Sequence, residues 1–310
     1  MVLCCCFNNN NDNNDNNDNN DNNDNNDNDN DNIITTKRDS LLSDYYNVRL
    51  IKEYPSCVYI GYYLKDNRIH VIKNLYKHTI NELDILLSLK HDAIIEIIDY
   101  KKNNNKIQYS MLKYESDLMD YINDHISNHK ILSEITIFNI LRQIISGLKY
   151  LHNENEICHR DIKPENIVLN VNRPESCKII DFGFSKKFTK MNAKTDEIIG
   201  TAYYAAPEIV LDAYCKKKSY DPYKADIYAL GVSIYIMCQS KYPFNRLCSN
   251  SVRTIRHMEQ TEKLRFIDNY KNTEIKYKKP ISHKLETLIN SCLEHNYLVR
   301  PTIEEVEKLL

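Results

Sequence analysis

The stretch that decides the fold is His159-Arg160-Asp161-Ile162-Lys163-Pro164-Glu165-Asn166, and Asp181-Phe182-Gly183 begins 20 residues after its Asp161. These stretches place a carboxylate, an amine and an amide in one short loop and a second carboxylate at the start of a later turn. Transfer of a phosphoryl group from a nucleotide requires such a set, because one carboxylate orients a hydroxyl, a cation shields the phosphate, and an amide and a carboxylate hold magnesium. The sequence therefore indicates phosphoryl-transfer chemistry.

Three further features occur in an order that supports this interpretation. Lys73 and Glu82 lie upstream, and Ala206-Pro207-Glu208 lies downstream. Together these motifs resemble those of the eukaryotic protein kinases, over residues 45–310. The resemblance implies an α+β, bilobal protein kinase fold, with a small, mainly β N-lobe that carries one key helix and a larger, mainly α C-lobe. ATP and Mg²⁺ would bind in the cleft between the lobes.

The resemblance gives the residues of the central loop their expected roles. Asp161 would orient the substrate hydroxyl, and Lys163 would shield the charge that develops on the γ-phosphate. Asn166 and Asp181 would hold Mg²⁺, which prefers oxygen donors and keeps several waters. A lone loop aspartate more often caps a turn, but the complete set favours the catalytic interpretation.

Lys73 follows the β-rich run Ile69–Ile72, where the family has a lysine that holds the α- and β-phosphates and pairs with a helix glutamate. Glu82 lies nine residues before His91, at the spacing of that glutamate. Thr79-Ile80-Asn81-Glu82 also fits a capping box, which leaves a structural role open. The ion pair is favoured because a partly buried Lys73 needs a partner; a solvated strand-end lysine is the alternative.

The loop that covers the phosphates departs most from the family. Counted back from Val58, its three glycine positions hold Ile51, Glu53 and Ser56. Glycines let backbone amides approach phosphate closely, so these side chains should weaken nucleotide binding. Val58 would cover adenine, and Val71, in place of a smaller alanine, would narrow the adenine slot. A pseudokinase scaffold with weak or no nucleotide binding is therefore the alternative function, although no transferring group is missing.

The connector between the lobes is expected at about 113–116, and Leu112 would gate the back of the adenine pocket. The resemblance assigns the other adenine contacts to Lys113, Tyr114, Glu115 and Val168. Asp117 is a candidate to meet ribose or a basic substrate side chain, and Glu165 is a candidate to contact the same side chain. Solvated surface acids are the equally compatible alternative.

The segment Gly200–Glu208 is similar to that of the calcium-dependent and calmodulin-dependent protein kinases. Its Thr201 would bond with Asp161 and Lys163. Both Thr201 and Lys163 are typical of kinases that act on serine and threonine.

Glu197 stands three residues before Gly200, where many relatives carry a phosphorylated threonine. The activation segment is the stretch between Asp181 and Glu208. The fixed negative charge of Glu197 would pair with Arg160 and order this segment without phosphorylation. Thr195 is the neighbouring alternative as a phosphorylation site.

Three residues have expected architectural roles. Glu208 and Arg300 would form a buried ion pair that braces the activation segment. Asp226 would hold the backbone of the loop from His159 to Asp161. Loss of one partner of a buried pair costs about 3–5 kcal/mol.

Composition separates a tail from the rest of the 310-residue chain. Residues 8–32 contain only 17 Asn and 8 Asp, so residues 1–32 are expected to be a disordered low-complexity tail. The whole chain carries −2 and this tail −8, which leaves +6 for the remainder. Residues 33–44 are expected to be a linker, and 45–310 the kinase domain, with an N-lobe at about 45–112 and a C-lobe at about 117–310. Binding of the tail to the basic domain is a minor alternative.

The cysteines and apolar runs bear on location. No uninterrupted apolar run of 18 residues, secretion signal or paired Cys-x-x-Cys zinc pattern is found, so reduced thiols and a cytoplasmic location are expected. Cys4, Cys5 and Cys6 could accept palmitate, which would give weak membrane contact, while Val2 excludes myristoylation.

Periodicity supplies a coarse secondary structure. Strands are expected at Val58–Ile60, Ile69–Ile72, Ile94–Tyr100 and Ile107–Leu112, with a hairpin of Ile167–Leu169 and Lys178–Ile180. Helices are expected within 79–90, from Ser133 to about Leu151, over 224–238 and over Thr302–Leu310.

These features predict a serine/threonine protein kinase that uses Mg-ATP. The expected partners are ATP and a protein substrate, with basic peptide motifs bound through Asp117 and Glu165; no nucleic acid partner is expected, and the chain is expected to be a monomer. No EF-hand sequence is present, so calcium binding through such loops is not expected. A small-molecule kinase is disfavoured because Gly200-Thr201 and Ala206-Pro207-Glu208 serve an extended peptide site in the family.

Overall fold

A computed structural model describes residues 40–53, 56–75, 80–103, 106–209, 219–244 and 275–310. The chain divides into two compact units. The described residues of the first unit lie within 40–75 and 98–113, and those of the second within 80–97 and 114–310. The first unit is a sheet and the second is mainly helical, so the protein has the α+β fold that the sequence predicted.

The first unit contains a five-stranded antiparallel sheet of order β1-β2-β3-β5-β4. Its strands are β1 Tyr45–Lys52, β2 Val58–Tyr63, β3 Ile69–Leu75, β4 Asp99–Asn103 and β5 Lys106–Leu112. Aromatic and β-branched residues dominate β2 and β3, as a half-buried pleated surface favours. The predicted strands at 58, 69 and 107 are thereby confirmed, each close to its expected limits.

The segment before β1 is part of this unit. Ser40 caps a short 3₁₀ helix, Leu41–Asp44, and donates from its hydroxyl to Oε1 of Gln108 at 3.0 Å. The backbone N–H of Leu41 donates to the same oxygen at 2.9 Å, and the Leu41 side chain is fully buried in the core with Tyr45, Tyr63 and Ile72. The prediction of a linker over 33–44 is therefore wrong for residues 40–44, because burial of Leu41 outweighs the polar character of its neighbours. Residues 33–39 and the tail lie outside the described residues.

The predicted strand at Ile94–Tyr100 is largely wrong. β4 begins only at Asp99 and continues through Lys101–Asn103, beyond the predicted end at Tyr100. Ile94 and Ile95 instead pack in the second unit, where the N–H of Ile95 donates to the carbonyl of Ile179 at 3.1 Å. β4 is an edge strand, and an edge strand tolerates lysine and asparagine because one side faces water.

The second unit contains six described α-helices. They are α1 Ile80–Ser88, α2 Leu118–Ser127, α3 Glu134–Lys149, α4 Pro222–Gln239, α5 His283–Cys292 and α6 Ile303–Leu309. The predicted start at Ser133 is confirmed, since its hydroxyl accepts from the N–H of Thr136 at 3.1 Å. The helix with Glu82 was expected in the N-lobe, but α1 groups with the second unit. Helices α2 and α5 were not predicted, although the buried residues of each recur at helical spacing, as Leu118, Tyr121 and Ile122 do in α2.

Short strands in the second unit hold the loops of interest. β6 Ser116–Asp117, β8 Ile167–Asn170 and β9 Arg173–Ile179 form a three-stranded sheet of order β6-β8-β9, and β7 Ile157–Cys158 pairs with β10 Lys186–Lys187. The predicted hairpin is confirmed as β8 and β9. The loop from 159 to 166 thus runs from β7 to β8, and the turn at 181–183 runs from β9 towards β10.

Helix α4 forms the centre of the helical unit, because nearly all of its side chains are buried. A Cβ at Gly231 would lie 2.7 Å from Cβ of Cys292 on α5, so the close packing of α4 and α5 requires glycine there. Among the described residues, no helix combines the length and apolar character needed to cross a bilayer.

Candidate active site

The backbone of the loop at 159–161 is fixed by one buried carboxylate. Asp226, in the first half of α4, accepts from the N–H of His159 at 2.8 Å through Oδ2 and from the N–H of Arg160 at 2.8 Å through Oδ1. His152 lies at 2.9 Å from the same Oδ2. Because buried backbone donors must be satisfied, Asp226 determines the path of the chain that presents Asp161.

The carboxylate of Asp161 is surrounded by donors. Lys163 Nζ lies 2.8 Å from its Oδ2, and Nδ2 of Asn166 donates to the same oxygen at 3.0 Å. Thr201 donates to Oδ1 twice, from its hydroxyl at 2.8 Å and from its backbone N–H at 3.1 Å. Asp161 is also buried. This set fixes the position of the carboxylate, as a group that orients a hydroxyl requires.

Lys163 connects the loop to the activation segment. Its ammonium group donates to the hydroxyl of Thr201 at 2.7 Å as well as facing Asp161. Burial alone lowers the pKa of Lys163, but the nearby carboxylates, Asp161 above all, more than offset burial and raise the pKa above its ordinary value. Lys163 therefore stays cationic over the physiological range.

Asn166 is oriented by Asp161 in a way that suits a metal ligand. Its amide nitrogen donates to the backbone oxygen of Asp161 at 2.8 Å and to the Asp161 carboxylate. Both amide protons are thereby directed at Asp161, which leaves the carbonyl oxygen as the free end of the side chain. Together with the carboxylate of Asp181, this oxygen matches the hard donors that Mg²⁺ takes from proteins, so the residues present fit the ion.

Two residues of these motifs adopt positive φ angles without being glycine. Arg160 has φ of 67° and Asp181 has φ of 64°. Each such conformation costs of order 1–3 kcal/mol and tends to occur where a site requires it. Arg160 is held by its contact with Asp226 and by donation from Nε to the carbonyl of Phe184 at 2.6 Å.

Glu82 lies close to the Asp181-Phe182-Gly183 turn. A Cβ on Gly183 would lie 3.3 Å from Oδ1 of Asp181 and 3.5 Å from Oε2 of Glu82, so both carboxylates flank this glycine. Glu82 is buried in the first turn of α1. Thr79, the other residue of the predicted capping box, lies outside the described residues.

The activation segment is held by an acid between two cations. Arg160 and Lys186 both form ion pairs with Glu197, the second at 3.0 Å. Partial burial opposes ionisation, but hydrogen bonds from Arg160 and then Lys186 prevail and lower the pKa of Glu197. Tyr220 adds a bond from its hydroxyl to the Glu197 carbonyl at 2.7 Å. The sequence did not predict the roles of Lys186 and Tyr220; two adjacent lysines after the Asp181 turn were the only signal.

Thr195 occupies a different environment. Its side chain is buried, and its hydroxyl accepts from the N–H of Glu197 at 3.2 Å. Its backbone forms an antiparallel bridge with Tyr220. Thr195 therefore helps to hold the conformation of the activation segment through its contacts with Glu197 and Tyr220.

Gly200 permits the activation segment to pass over the loop. It has φ of 97°, and a Cβ there would lie 2.8 Å from the carbonyl oxygen of Arg160. Any other residue would push the segment away from the loop, which would break the contacts of Thr201 with Asp161.

Glu208 and Arg300 form a buried, two-pronged pair. The guanidinium donates to Oε1 at 2.6 Å and to Oε2 at 3.0 Å. It also donates to the carbonyls of Lys224 and Glu294 and lies 4.9 Å from the centroid of the Tyr228 ring. Because Glu208, Lys224 and Glu294 belong to different segments, this pair connects the end of the activation segment to α4 and to the last helices.

The two acids proposed for a basic substrate side chain both have protein partners. Asp117 is the N-cap of α2 and accepts from the N–H of Asp120 at 2.9 Å, which the sequence did not predict. Glu165 accepts from the hydroxyl of Tyr204 at 2.9 Å. Burial, and then the charges of Asp120 and Glu165, raise the pKa of Asp117 to about 6; burial likewise raises the pKa of Glu165. Burial is therefore the main cause of the raised pKa at both carboxyls.

The first unit places the remaining nucleotide candidates on its sheet. Val58, at the start of β2, lies opposite Lys73 of β3. Between β3 and β5, Val71 pairs with Met111, and His70 pairs with Leu112.

The substituted glycine positions also belong to the first unit. Ile51 and Glu53 are exposed and Ser56 is buried. Tyr54 and Pro55 lie outside the described residues.

The connector has fewer free donors than the sequence implied. The N–H of Lys113 donates to the carbonyl of Ile69 at 3.0 Å in the first unit, and the N–H of Glu115 donates to Oδ1 of Asn170 at 3.4 Å in the second. The backbone N–H groups of Lys113 and Glu115 therefore already have partners within the protein. Val168, on β8, pairs with Asp117 and is half-buried.

Comparison with known proteins agrees with this geometry. A family model described as "Protein kinase domain" matches residues 54–309. Calcium-dependent protein kinase 5 of Plasmodium falciparum (isolate 3D7) is 32% identical over 248 residues, which cover 79% of this chain and 39% of that protein. Calcium-dependent protein kinase 4 of the same organism is 33% identical over 234 residues, covering 74% and 40%.

A relative outside the calcium-dependent group gives a similar match over a shorter stretch. Serine/threonine-protein kinase 10 of Danio rerio is 34% identical over 181 residues, covering 58% of this chain and 18% of that protein. The chain spans about two fifths of the length of the calcium-dependent relatives.

Proposed function

This chain belongs to the protein kinase family, and we propose that it is a serine/threonine protein kinase that transfers the γ-phosphate of ATP to hydroxyls of protein substrates. One observation carries the proposal: Asp161, Lys163, Asn166 and Thr201 form a closed set of short contacts around one carboxylate. A scaffold that transfers nothing has no need of this arrangement, which holds a buried carboxylate in one position.

In the proposed reaction, Asp161 accepts or orients the proton of the substrate hydroxyl, whose oxygen then forms a bond to the γ-phosphorus. The bond between that phosphorus and the bridging oxygen breaks, and ADP leaves. Lys163, cationic and 2.8 Å from Asp161, would shield the charge that develops on the transferred group.

Asn166 and Asp181 would hold Mg²⁺. When bound, the ion neutralises phosphate charge and aligns the γ-phosphate. The bond of Asn166 to Asp161 joins the proposed metal ligand to the proposed proton acceptor, so the position of one constrains the other.

The family motifs assign the nucleotide contacts to individual residues. Lys73 would hold the α- and β-phosphates and pair with Glu82. Val58, Val71, Leu112–Glu115 and Val168 would surround adenine. These assignments follow from the family motifs. The position of Glu82 beside Gly183, close to the proposed metal ligand Asp181, supports the assignment of Glu82.

We also propose that Glu197 replaces an activating phosphate. The contacts of its carboxylate with Arg160 and Lys186 support this, because they supply the cations that a phosphorylated residue would recruit. Thr195 is buried and bonded to the N–H of Glu197, which argues against it as the activating site.

Substrates with basic side chains are proposed as the preferred class. The charge of Glu165 contributes to the raised pKa of Asp117, so a bound arginine or lysine would relieve this repulsion.

The decisive experiment is transfer of radiolabelled phosphate from Mg-ATP to a generic basic peptide. The wild-type chain should label the peptide, and Asp161→Asn and Lys73→Met should reduce the signal by a factor on the order of a hundred or more. Equal signal in all three proteins would contradict the proposal, since contaminating kinase activity would explain it. Absence of signal from the wild type, with no thermal shift on addition of Mg-ATP, would favour the pseudokinase scaffold.

A further inference from the structure

We propose that the second unit binds anionic phospholipid through a surface of exposed isoleucines and lysines, here called the Ile–Lys surface. It consists of Ile131, Ile135, Lys241, Lys276, Lys278, Lys279 and Lys284. None of these residues belongs to the proposed active site, so the inference does not depend on catalysis.

The lysines of this surface stand on a rigidly held segment. Gln239, the last residue of α4, accepts through Oε1 from the N–H groups of Lys278 and Lys279, both at 2.9 Å, and donates to the carbonyl of Lys279 at 2.9 Å. Tyr235 donates from its hydroxyl to the carbonyl of Lys276 at 2.6 Å. Residues 276–279 are therefore fixed as a structured edge, and the side chains of Lys276 and Lys278 are exposed.

Positive charge is concentrated here. Residues 275–286 contain four lysines and a single acid, Glu286. Lys241 joins them from the end of α4, where its ammonium group lies 5.9 Å from the centroid of the Tyr235 ring. Desolvation, and then the charge of Lys278, lower the pKa of Lys241, which indicates that the two ammonium groups repel each other in the absence of an anion.

The isoleucines adjoin this edge. Glu134, between them in sequence, accepts from the N–H of Ser282 at 2.6 Å, and Lys284 places its ammonium group 5.3 Å from the centroid of the Phe138 ring. Ile131 is 61% exposed and Ile135 is 75% exposed. Large apolar side chains that project from a basic surface can enter the boundary between headgroups and acyl chains while lysines remain at the headgroups.

Two partners would satisfy the lysines, but only one suits the isoleucines as well. The acidic segment of residues 8–32 contains eight Asp and no apolar residue, so it complements the charge and leaves Ile131 and Ile135 in water. An anionic bilayer complements both. Acylation of Cys4, Cys5 or Cys6 would add to this choice, because stable anchoring takes two signals, such as an acyl chain and a basic patch.

The test is co-sedimentation of the full, unacylated chain with vesicles of phosphatidylcholine alone or with added phosphatidylserine. Binding should require phosphatidylserine and weaken with salt. Lys276→Gln with Lys278→Gln should reduce the partition coefficient roughly 25-fold, at about fivefold per lysine. Ile131→Ser with Ile135→Ser should also reduce it, with no change in net charge.

Lys102→Gln with Lys106→Gln is the matched control, because these exposed lysines lie on β4 and β5 of the first unit. It removes the same charge and should leave binding nearly unchanged. An equal loss of vesicle binding in this control would show that net charge alone explains the binding, and would overturn the proposal. Absence of wild-type binding would also overturn it, and carbodiimide cross-links from Lys278 to aspartates of residues 8–32 would then assign the surface to the tail.

Discussion

The loop from His159 to Asn166 and the connection between β1 and β2 both belong to the motifs by which the family handles phosphate, yet they differ in which atoms would do so. In the loop, side chains supply the acid, the amine and the amide, and every one of them is present. In the β1–β2 connection, the family uses backbone amides made accessible by glycine, and none of the glycines is present. The difference teaches that a group that performs the chemistry cannot be exchanged, whereas a backbone contact can weaken by degrees.

The largest expected effect concerns the buried ion pair of Glu208 and Arg300, which stabilises the unit that carries the loop from His159 to Asn166. Glu208→Ala should lower the free energy of unfolding by about 3–5 kcal/mol, because it leaves the buried Arg300 without its carboxylate. Denaturant unfolding measures this. Glu307→Ala, which removes an exposed ion pair with Lys149, is the control and should cost less than about 1 kcal/mol. Similar losses in both variants would show that burial of the Glu208 pair has no special weight.

The metal ligand comes next. Asp181→Asn should reduce peptide phosphorylation on the order of a few hundredfold, since it removes the charged ligand of the ion. A titration with Mg²⁺ should show partial recovery at high concentration. Asp124→Asn, an exposed substitution on α2, should keep full activity. Full activity of Asp181→Asn at low Mg²⁺ would contradict the assigned ligand.

Glu197 tests whether the activation segment is ordered without phosphorylation. Glu197→Ala should lower activity roughly tenfold, because one charge-assisted contact is worth about 1.5 kcal/mol or more. The neighbouring exposed Asp196→Ala should have little effect. Full activity of Glu197→Ala, together with loss of activity in Thr195→Ala, would show that Thr195 and not Glu197 controls the segment.

The β1–β2 connection should respond in the opposite direction. Restoring all three glycines, Ile51→Gly, Glu53→Gly and Ser56→Gly, should tighten ATP binding by roughly three- to tenfold, because amides approach the phosphates and an anion is removed. The measurement is a thermal-shift titration with Mg-ATP in the Asp161→Asn background, which separates binding from turnover. Unchanged affinity would mean that the side chains at these positions do not limit nucleotide binding.

The smallest expected effect concerns pH. The pKa of Asp117 is raised to about 6, so Asp117 is neutral below this pH and charged above it. The KM for a basic peptide should therefore fall a few-fold between about pH 5.5 and 7.5 in the wild type. Asp117→Asn should remove most of this dependence. The same dependence in the variant would assign the titration to another group.

Sequence patterns predicted those parts in which local chemistry determines structure. The cap at Ser133 and the β8–β9 hairpin are of this kind, since a hydroxyl cap and alternating apolar residues act over a few positions. The order of the catalytic motifs predicted which residues to expect near Asp161. In the structure, Asp161 contacts Thr201, which lies 40 residues away in the sequence, and Asn166, which lies 5 residues away.

Other features depended on distant partners and could not be predicted. Leu41 has a polar neighbourhood in sequence, and only its burial beside Tyr63 and Ile72 explains its place in the fold. Lys186 and Tyr204 acquire their roles from Glu197 and Glu165, which are far from them in the chain. Tertiary contacts of this type override local tendencies.

The bonds of Ser40 and Leu41 to Gln108 have a practical consequence for protein production. A fragment trimmed to the family match at residue 54 would lose the first strand of the sheet and the leucine that fills its core. The backbone of β2 would then become an open edge, available to pair with other molecules, and such fragments should aggregate. Expression boundaries for crystallisation should therefore be set upstream of Ser40.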